Sequence, residues 1–198
     1  EPLIIHKLFK TRDEINAIGD YYAYSEELIN GDSIFDFDIT KLSVYTRSIG
    51  LAGIEVYDLL RDEYDIQTEF GDIANLLSYV SVGDGPKDIE RLVSALAEIR
   101  RNYRQTGRKM LKAEYISPKV ICGPQEAFYG EKEALNIEET SGRVCSEFVM
   151  CYPPGIPILA PGEMITPEIL DYIRYAKKKG CQMTGPEDMD LLKLNVMK

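Results

Sequence analysis

The sequence of 198 residues contains no tryptophan and a single histidine, His6. With one imidazole, a serine–histidine–aspartate relay would have to run through His6, close to a terminus and on an expected helix, which argues against that chemistry. Its four cysteines, Cys122, Cys145, Cys151 and Cys181, show neither C-x-x-C nor histidine-paired spacing. Zinc is therefore not expected, and four scattered thiols fit a reducing cytosol and a cytoplasmic location. No apolar run approaches the ~18 residues that cross a bilayer, and no basic segment leads into an apolar one at the start. Basic residues are the minority: 23 Lys and Arg against 33 Asp and Glu give a net charge of −10. That balance argues against a nucleic-acid partner, which needs clustered cations. Arg100-Arg101-Arg104, Arg108-Lys109-Lys112 and Lys177-Lys178-Lys179 fall at ends of expected helices, where cations complement the helix dipole. The phosphate-loop, nucleophile-elbow and H-E-x-x-H signatures are missing as well.

What remains is a globular composition, 44% hydrophobic and 28% charged. At about 150 residues per domain, the length suits one large domain or two small ones. The first residue is Glu1 rather than Met, so a processed chain or a piece of a longer one is expected. Leu3, Ile4, Leu8, Ile15 and Ile18 recur near helical spacing, and Gly19 closes that helix. Short strands are expected at Leu42–Tyr45, Ile66–Phe70 and Asn75–Val82. Between the first two, a helix buries Ile54, Tyr57 and Leu60 and reaches Tyr64. After the turn Gly83-Asp84-Gly85-Pro86, the residues Ile89, Leu92, Val93, Leu96 and Ile99 mark an amphipathic helix. This order predicts an α+β unit over residues 1–106, with helices packed on one side of a small sheet.

The stretch Gly107–Pro118 is basic and poorly patterned, and the domain boundary is expected there. Residues 107–198 form a Pro-rich α+β domain, with strands expected at Ala134–Ile137, Arg143–Met150 and Ile158–Leu159. Thr166 caps a helix over Pro167–Lys179. The acidic pairs Asp36/Asp38 and Glu138/Glu139 suit solvated faces. Tyr152-Pro153-Pro154-Gly155-Ile156-Pro157-Ile158-Leu159-Ala160-Pro161-Gly162-Glu163 holds four prolines and two glycines in twelve residues, which fixes a stiff, extended loop. The residues leave two uses for it open: a structural crossover, or a rigid mount that presents Tyr152 or Glu163 to a ligand.

That loop carries a resemblance. Gly142-Arg143-Val144, Tyr152-Pro153-Pro154-Gly155-Ile156-Pro157 and Pro161-Gly162-Glu163-Met164-Ile165-Thr166 resemble the C-terminal domain of the pyridoxal-phosphate-dependent ornithine/lysine/arginine decarboxylases. Thr40-Lys41-Leu42, Gly50-Leu51-Ala52-Gly53-Ile54-Glu55, Tyr64-Asp65-Ile66-Gln67-Thr68-Glu69, Gly83-Asp84 and Asp88-Ile89 resemble the small domain before it, so the likeness covers essentially the whole chain. Cys151 departs from the pattern, which often has proline before the Tyr-Pro-Pro run.

The fold implied is the aspartate-aminotransferase-like small domain of a fold type I enzyme, followed by the family's own C-terminal domain. The activity implied is decarboxylation of arginine, lysine or ornithine, a step toward polyamines, with pyridoxal phosphate accepting the electrons as carbon dioxide leaves. The family's Schiff-base lysine lies in a His-Lys-Thr context inside a large upstream domain. His6-Lys7 only echoes that context, and Lys7 is expected to be a solvated helix position. This chain is then expected to contain no catalytic, cofactor-binding or metal residue, and to be inactive alone. The resemblance assigns Glu69 to the distal cation of the substrate, whereas its alternating strand alone places it toward water. It assigns Tyr152 to the active-site entrance, where a phenol can cover an aliphatic stem and bond a charged end. Glu163 is expected to hold the turn before the Thr166–Pro167 helix start. The partners implied are the upstream cofactor domain and a second copy in a homo-oligomer, with an exposed apolar face where they dock. A stand-alone assembly or binding module, and one chain of a split decarboxylase, stay open as alternatives.

Overall fold

The structure, a computed structural model, describes residues 2–105 and 116–198. The expected Arg108-Lys109-Lys112 cluster, most of the expected boundary segment and the side chains of Leu3 and Ile4 lie outside the described residues. The chain divides into two compact units, Glu1–Met110 and Leu111–Lys198.

The first unit opens with α1 (Pro2–Ile18), ended by Gly19 at φ 85°, a left-handed value that suits glycine. Its buried face is Leu8, Thr11, Arg12 and Ile15, the i, i+3, i+4, i+7 set, so half of it is polar. Arg12 is 2% exposed and is satisfied by carbonyl oxygens alone. Its Nε donates to Tyr24 (2.8 Å), Nη1 to Leu8 (3.0 Å) and Nη2 to Ile39 (2.8 Å) and Lys41 (3.2 Å), which ties down both ends of the irregular segment between the first two strands. Those strands are β1 (Tyr22–Ala23) and β2 (Lys41–Tyr45). They are followed by α2 (Gly53–Tyr64), β3 (Phe70–Gly71), β4 (Asn75–Tyr79) and α3 (Pro86–Tyr103). All pairings are antiparallel and the sheet order is β1-β2-β4-β3.

In the β2–β4 register, Leu42 faces Ser78 and Val44 faces Leu76, and all four side chains are buried. Leu42, Val44 and Leu76 share one core with Ile15 of α1, Val56 and Leu60 of α2, and Leu92, Ala95, Leu96 and Ile99 of α3. Helices therefore cover one face of the sheet. Gly53 brings α2 directly onto it, because a Cβ there would lie 1.8 Å from the Asn75 carbonyl oxygen. Two expectations need correction. Residues 66–69 lie outside any strand, which leaves Phe70–Gly71 alone as β3, and β4 stops at Tyr79 rather than Val82.

The second unit contains α4 (Pro124–Tyr129), β5 (Lys132–Asn136), β6 (Val149–Tyr152), β7 (Ile156–Leu159), α5 (Pro167–Lys178), β8 (Gln182–Thr184) and β9 (Lys193–Met197). The pairs β5–β9, β6–β7 and β6–β8 are antiparallel. The strand expected over Arg143–Met150 begins only at Val149, and α4, β8 and β9 were not expected. The stiff loop is also shorter than expected. Tyr152 ends β6, Gly155 N–H bonds the Cys151 carbonyl at 2.8 Å, and Ile156 begins β7, so the run is a tight hairpin. Pro157 is tolerated because β7 is an edge strand. Thr166 caps α5 by accepting the Ile169 N–H, and Glu163 Oε2 accepts the Ala160 N–H at 2.7 Å, which holds the turn ahead of that helix. The buried Glu147 carboxylate accepts N–H groups from the Glu187 backbone and from the backbone and side chain of Asn195, each at 2.9 Å, and so anchors β9.

Candidate functional site

The first unit contains a cleft of about 300 Å³ between the Glu69 end of the sheet and the first turns of α3. Leu42, Ile66, Val80, Ile89 and Leu92 supply its apolar surface. Glu69, Asp84 and Asp88 bring three carboxylates to it. Glu69 is exposed, and its backbone N–H donates to the Leu77 carbonyl at 2.9 Å, which pins the residue just before β3 against β4. Asp84 Oδ2 accepts the Ser81 N–H and hydroxyl at 2.6 and 2.9 Å. Asp88 Oδ2 accepts the Gly85 N–H at 2.9 Å, closing the start of α3. Both aspartates thus hold the turn while keeping their charge beside the cleft.

Two further lining residues, Thr68 and Ser78, are each 6% exposed. Neither hydroxyl has a hydrogen-bond partner among the described residues. Tyr79 is half exposed, and the Lys41 ammonium lies 3.6 Å from its ring centroid, within cation–π range. A larger groove of about 500 Å³ runs along the outer side of α3, lined by residues that include Lys87, Glu90, Arg91 and Glu98. Its charges are mixed, with Arg91 donating to the Tyr64 and Asp65 carbonyls and Glu90 pairing with Lys7. The smaller cleft is therefore the better candidate, being acidic, apolar at its base and provided with free acceptors.

Tyr152 is on the second unit, at the end of β6, and is 53% exposed; Ile156, which begins β7, is more open still. Glu69 and Tyr152 thus belong to different units, each placed by its own sheet. Lys7 is not a freely solvated helix position. Its Nζ is 2.9 Å from Glu90 Oε1 on α3, and this hydrogen bond raises its pKa above the ordinary lysine value. No group of three His, Cys, Asp or Glu side chains among the described residues could hold a metal ion. No described helix is long and apolar enough to cross a membrane.

Residues 105–188 match the family described as Orn/Lys/Arg decarboxylase, C-terminal domain. The chain carries that domain. Similarity extends well beyond it: the arginine decarboxylase of Bacillus subtilis (strain 168) is 37% identical over 192 residues, 96% of this chain and 39% of that relative. The constitutive lysine decarboxylase of Escherichia coli (strain K12) is 35% identical over 106 residues, half of this chain and 15% of the relative. Among solved structures, a lysine decarboxylase of Francisella novicida matches with a TM-score of 0.66 at 20% identity, covering 98% of this chain and 39% of the other. The E. coli constitutive lysine decarboxylase matches at 0.64 and 18%. Both likenesses extend the mixed α/β fold of the decarboxylase C-terminal region over both units. The chain spans 39% of the length of the arginine decarboxylase that it matches.

Sequence reasoning picked out Glu69 but not the two hydroxyls near it. The available signal was Ser78, which takes the buried place after Leu76 in the alternation of β4.

Proposed function

We propose that this chain is the C-terminal portion of a cytoplasmic decarboxylase acting on a basic amino acid, arginine, lysine or ornithine, and yielding carbon dioxide and a polyamine or its precursor. On this reading residues 1–106 are an aspartate-aminotransferase-like small domain and residues 107–198 the family-specific domain. Glu69 meets the distal cation of the substrate, and Tyr152 serves at the active-site entrance. The observation that carries the reading is Glu69 itself, an exposed carboxylate on the rim of an acidic cleft with an apolar base. A carboxylate there accepts N–H donors from an ammonium or guanidinium, and the bond strengthens as the docked substrate displaces water. Tyr152 lays its ring along an aliphatic stem and offers its hydroxyl to a charged end.

Pyridoxal phosphate requires a lysine whose amine can lose its proton. Lys7 is a poor fit, since its Nζ bonds Glu90 Oε1 at 2.9 Å and that bond raises its pKa. The cofactor and its lysine belong, on this reading, to an upstream domain, and a homo-oligomer completes the enzyme.

Carbon dioxide release from arginine, lysine and ornithine tests the proposal, using the protein extended by the sequence encoded before Glu1 and supplied with pyridoxal phosphate. Turnover of at least one substrate by the extended protein, with none by this chain alone, is expected. Turnover of none by the extended protein would contradict the reading and favour an assembly module.

A further inference from the structure

We propose that Thr68 and Ser78 are specificity-determining residues, whose hydroxyls accept N–H donors from the cationic end of a ligand with a methylene stem. The inference rests on the reading of Glu69 as the partner of a substrate's distal cation, and it adds two side chains to that recognition.

Both residues are 6% exposed, both line the 300 Å³ cleft, and neither hydroxyl finds a partner among the described residues. Native folds leave few buried polar atoms unsatisfied, so two in one cleft call for an explanation. The position of Ser78 sharpens the point. It takes a sheet place opposite Leu42 that an apolar side chain could fill, yet it carries a buried hydroxyl that finds no hydrogen-bond partner among the described residues.

The surroundings select the ligand. Glu69, Asp84 and Asp88 exclude an anion and draw a cation. A hard divalent ion needs six or more oxygen ligands, and no group of three acidic, His or Cys side chains among the described residues could hold a metal. Leu42, Ile66, Val80, Ile89 and Leu92 offer apolar surface to methylene groups rather than to water. The ligand that meets all three conditions is an alkylammonium or alkylguanidinium. Its N–H groups point to Thr68, Ser78 and Glu69, and its stem lies on the apolar base.

The test is a titration of the 198-residue chain with 1,4-diaminobutane and with n-butylguanidine, followed by amide chemical shifts. Wild type is compared with Thr68→Val, Ser78→Ala, the double variant, Thr68→Ser and Glu69→Gln, and the melting temperature of each is recorded. Saturable shifts confined to residues 66–69 and 78–92 are expected for at least one of the two ligands. Affinity should fall at least tenfold in the double variant and be retained in Thr68→Ser. Thr68→Val and Ser78→Ala should melt at or above the wild-type temperature, because each removes an unsatisfied buried hydroxyl. A merely structural role predicts the reverse, with lowered melting and unchanged affinity, and would overturn the proposal. Binding weakened by Glu69→Gln but not by the double variant would also overturn it, while leaving the reading of Glu69 intact. No saturable shift with either ligand would overturn it outright; Glu69 would then be judged by turnover kinetics alone.

Discussion

Replacing Arg12 by methionine removes the cation that organises the irregular segment between β1 and β2. In the native state this guanidinium reaches the carbonyls of Tyr24, Ile39 and Lys41, besides one within its own helix, and lies 5.4 Å from the Phe37 ring centroid. Methionine keeps the length of the stem but donates nothing. Hydrogen bonds to a charged group are worth ~1.5–3 kcal/mol each, but the lost charge was itself costly to bury, so about 1 kcal/mol per loop carbonyl is the better figure. Three carbonyls give a loss of about 3 kcal/mol, or a fall of roughly 12–24 °C in the melting temperature of a unit of this size. Lysine should recover only part of this, since one ammonium does not match the spread of a guanidinium fork. Burial depresses the Arg12 pKa, yet arginine stays protonated throughout the accessible range, so the effect should not vary with pH. Thermal unfolding by circular dichroism measures the loss, and amide exchange should show protection falling first around residues 24–41. A loss below ~1 kcal/mol, or exchange that rises evenly over the unit, would refute this account of Arg12.

The second unit has its own buried clamp: Glu147→Ala leaves two backbone N–H groups without their acceptor and the Asn195 amide with Glu187 Oε2 alone, and should cost about 2–3 kcal/mol in urea unfolding. Alkaline pH should unfold the chain early. Burial pushes the Cys145 thiol up from its ordinary 9.0 to about 12 and raises the Tyr21 phenol as well, so the folded state binds these protons more tightly than the unfolded one. Their contribution is whole below the ordinary thiol value of 9.0 and is lost as pH rises toward 12, which a melting series from pH 8 to 12 would trace. Iodoacetamide at pH 8 should label the half-buried Cys122 well before the buried Cys145.

The parts of this fold legible in the sequence are those whose signal is local. The period of Ile89, Leu92, Leu96 and Ile99 places α3, and Thr166-Pro167 starts α5 because cap and first turn lie side by side. Arg12 was not legible, since a polar residue on a helix face reads as solvated until the carbonyls that satisfy it, from Tyr24 to Lys41, are seen. The strands β8 and β9 escaped for a similar reason: one is three residues long, and the other buries Asn195 between Leu194 and Val196 because Glu147, 48 residues away, takes its amide. At the candidate site, Glu69 was assigned through the resemblance of Tyr64–Glu69 to the decarboxylase small domain, whereas its own alternation placed it toward water. Thr68 and Ser78 gain meaning only when the cleft places their hydroxyls together with three carboxylates.

The most direct test of the account is the turnover of Glu69→Gln in the extended, cofactor-loaded protein. Glutamine keeps the size and one acceptor oxygen but loses the charge, so the value of kcat/KM should fall roughly 10- to 150-fold, the loss expected for a hydrogen bond to a charged group. The fall should come mainly through KM, with the melting temperature unchanged because Glu69 is exposed and its side chain makes no hydrogen bond or ion pair among the described residues. A kcat/KM within twofold of wild type would contradict the central claim that this cleft receives the cationic end of the substrate.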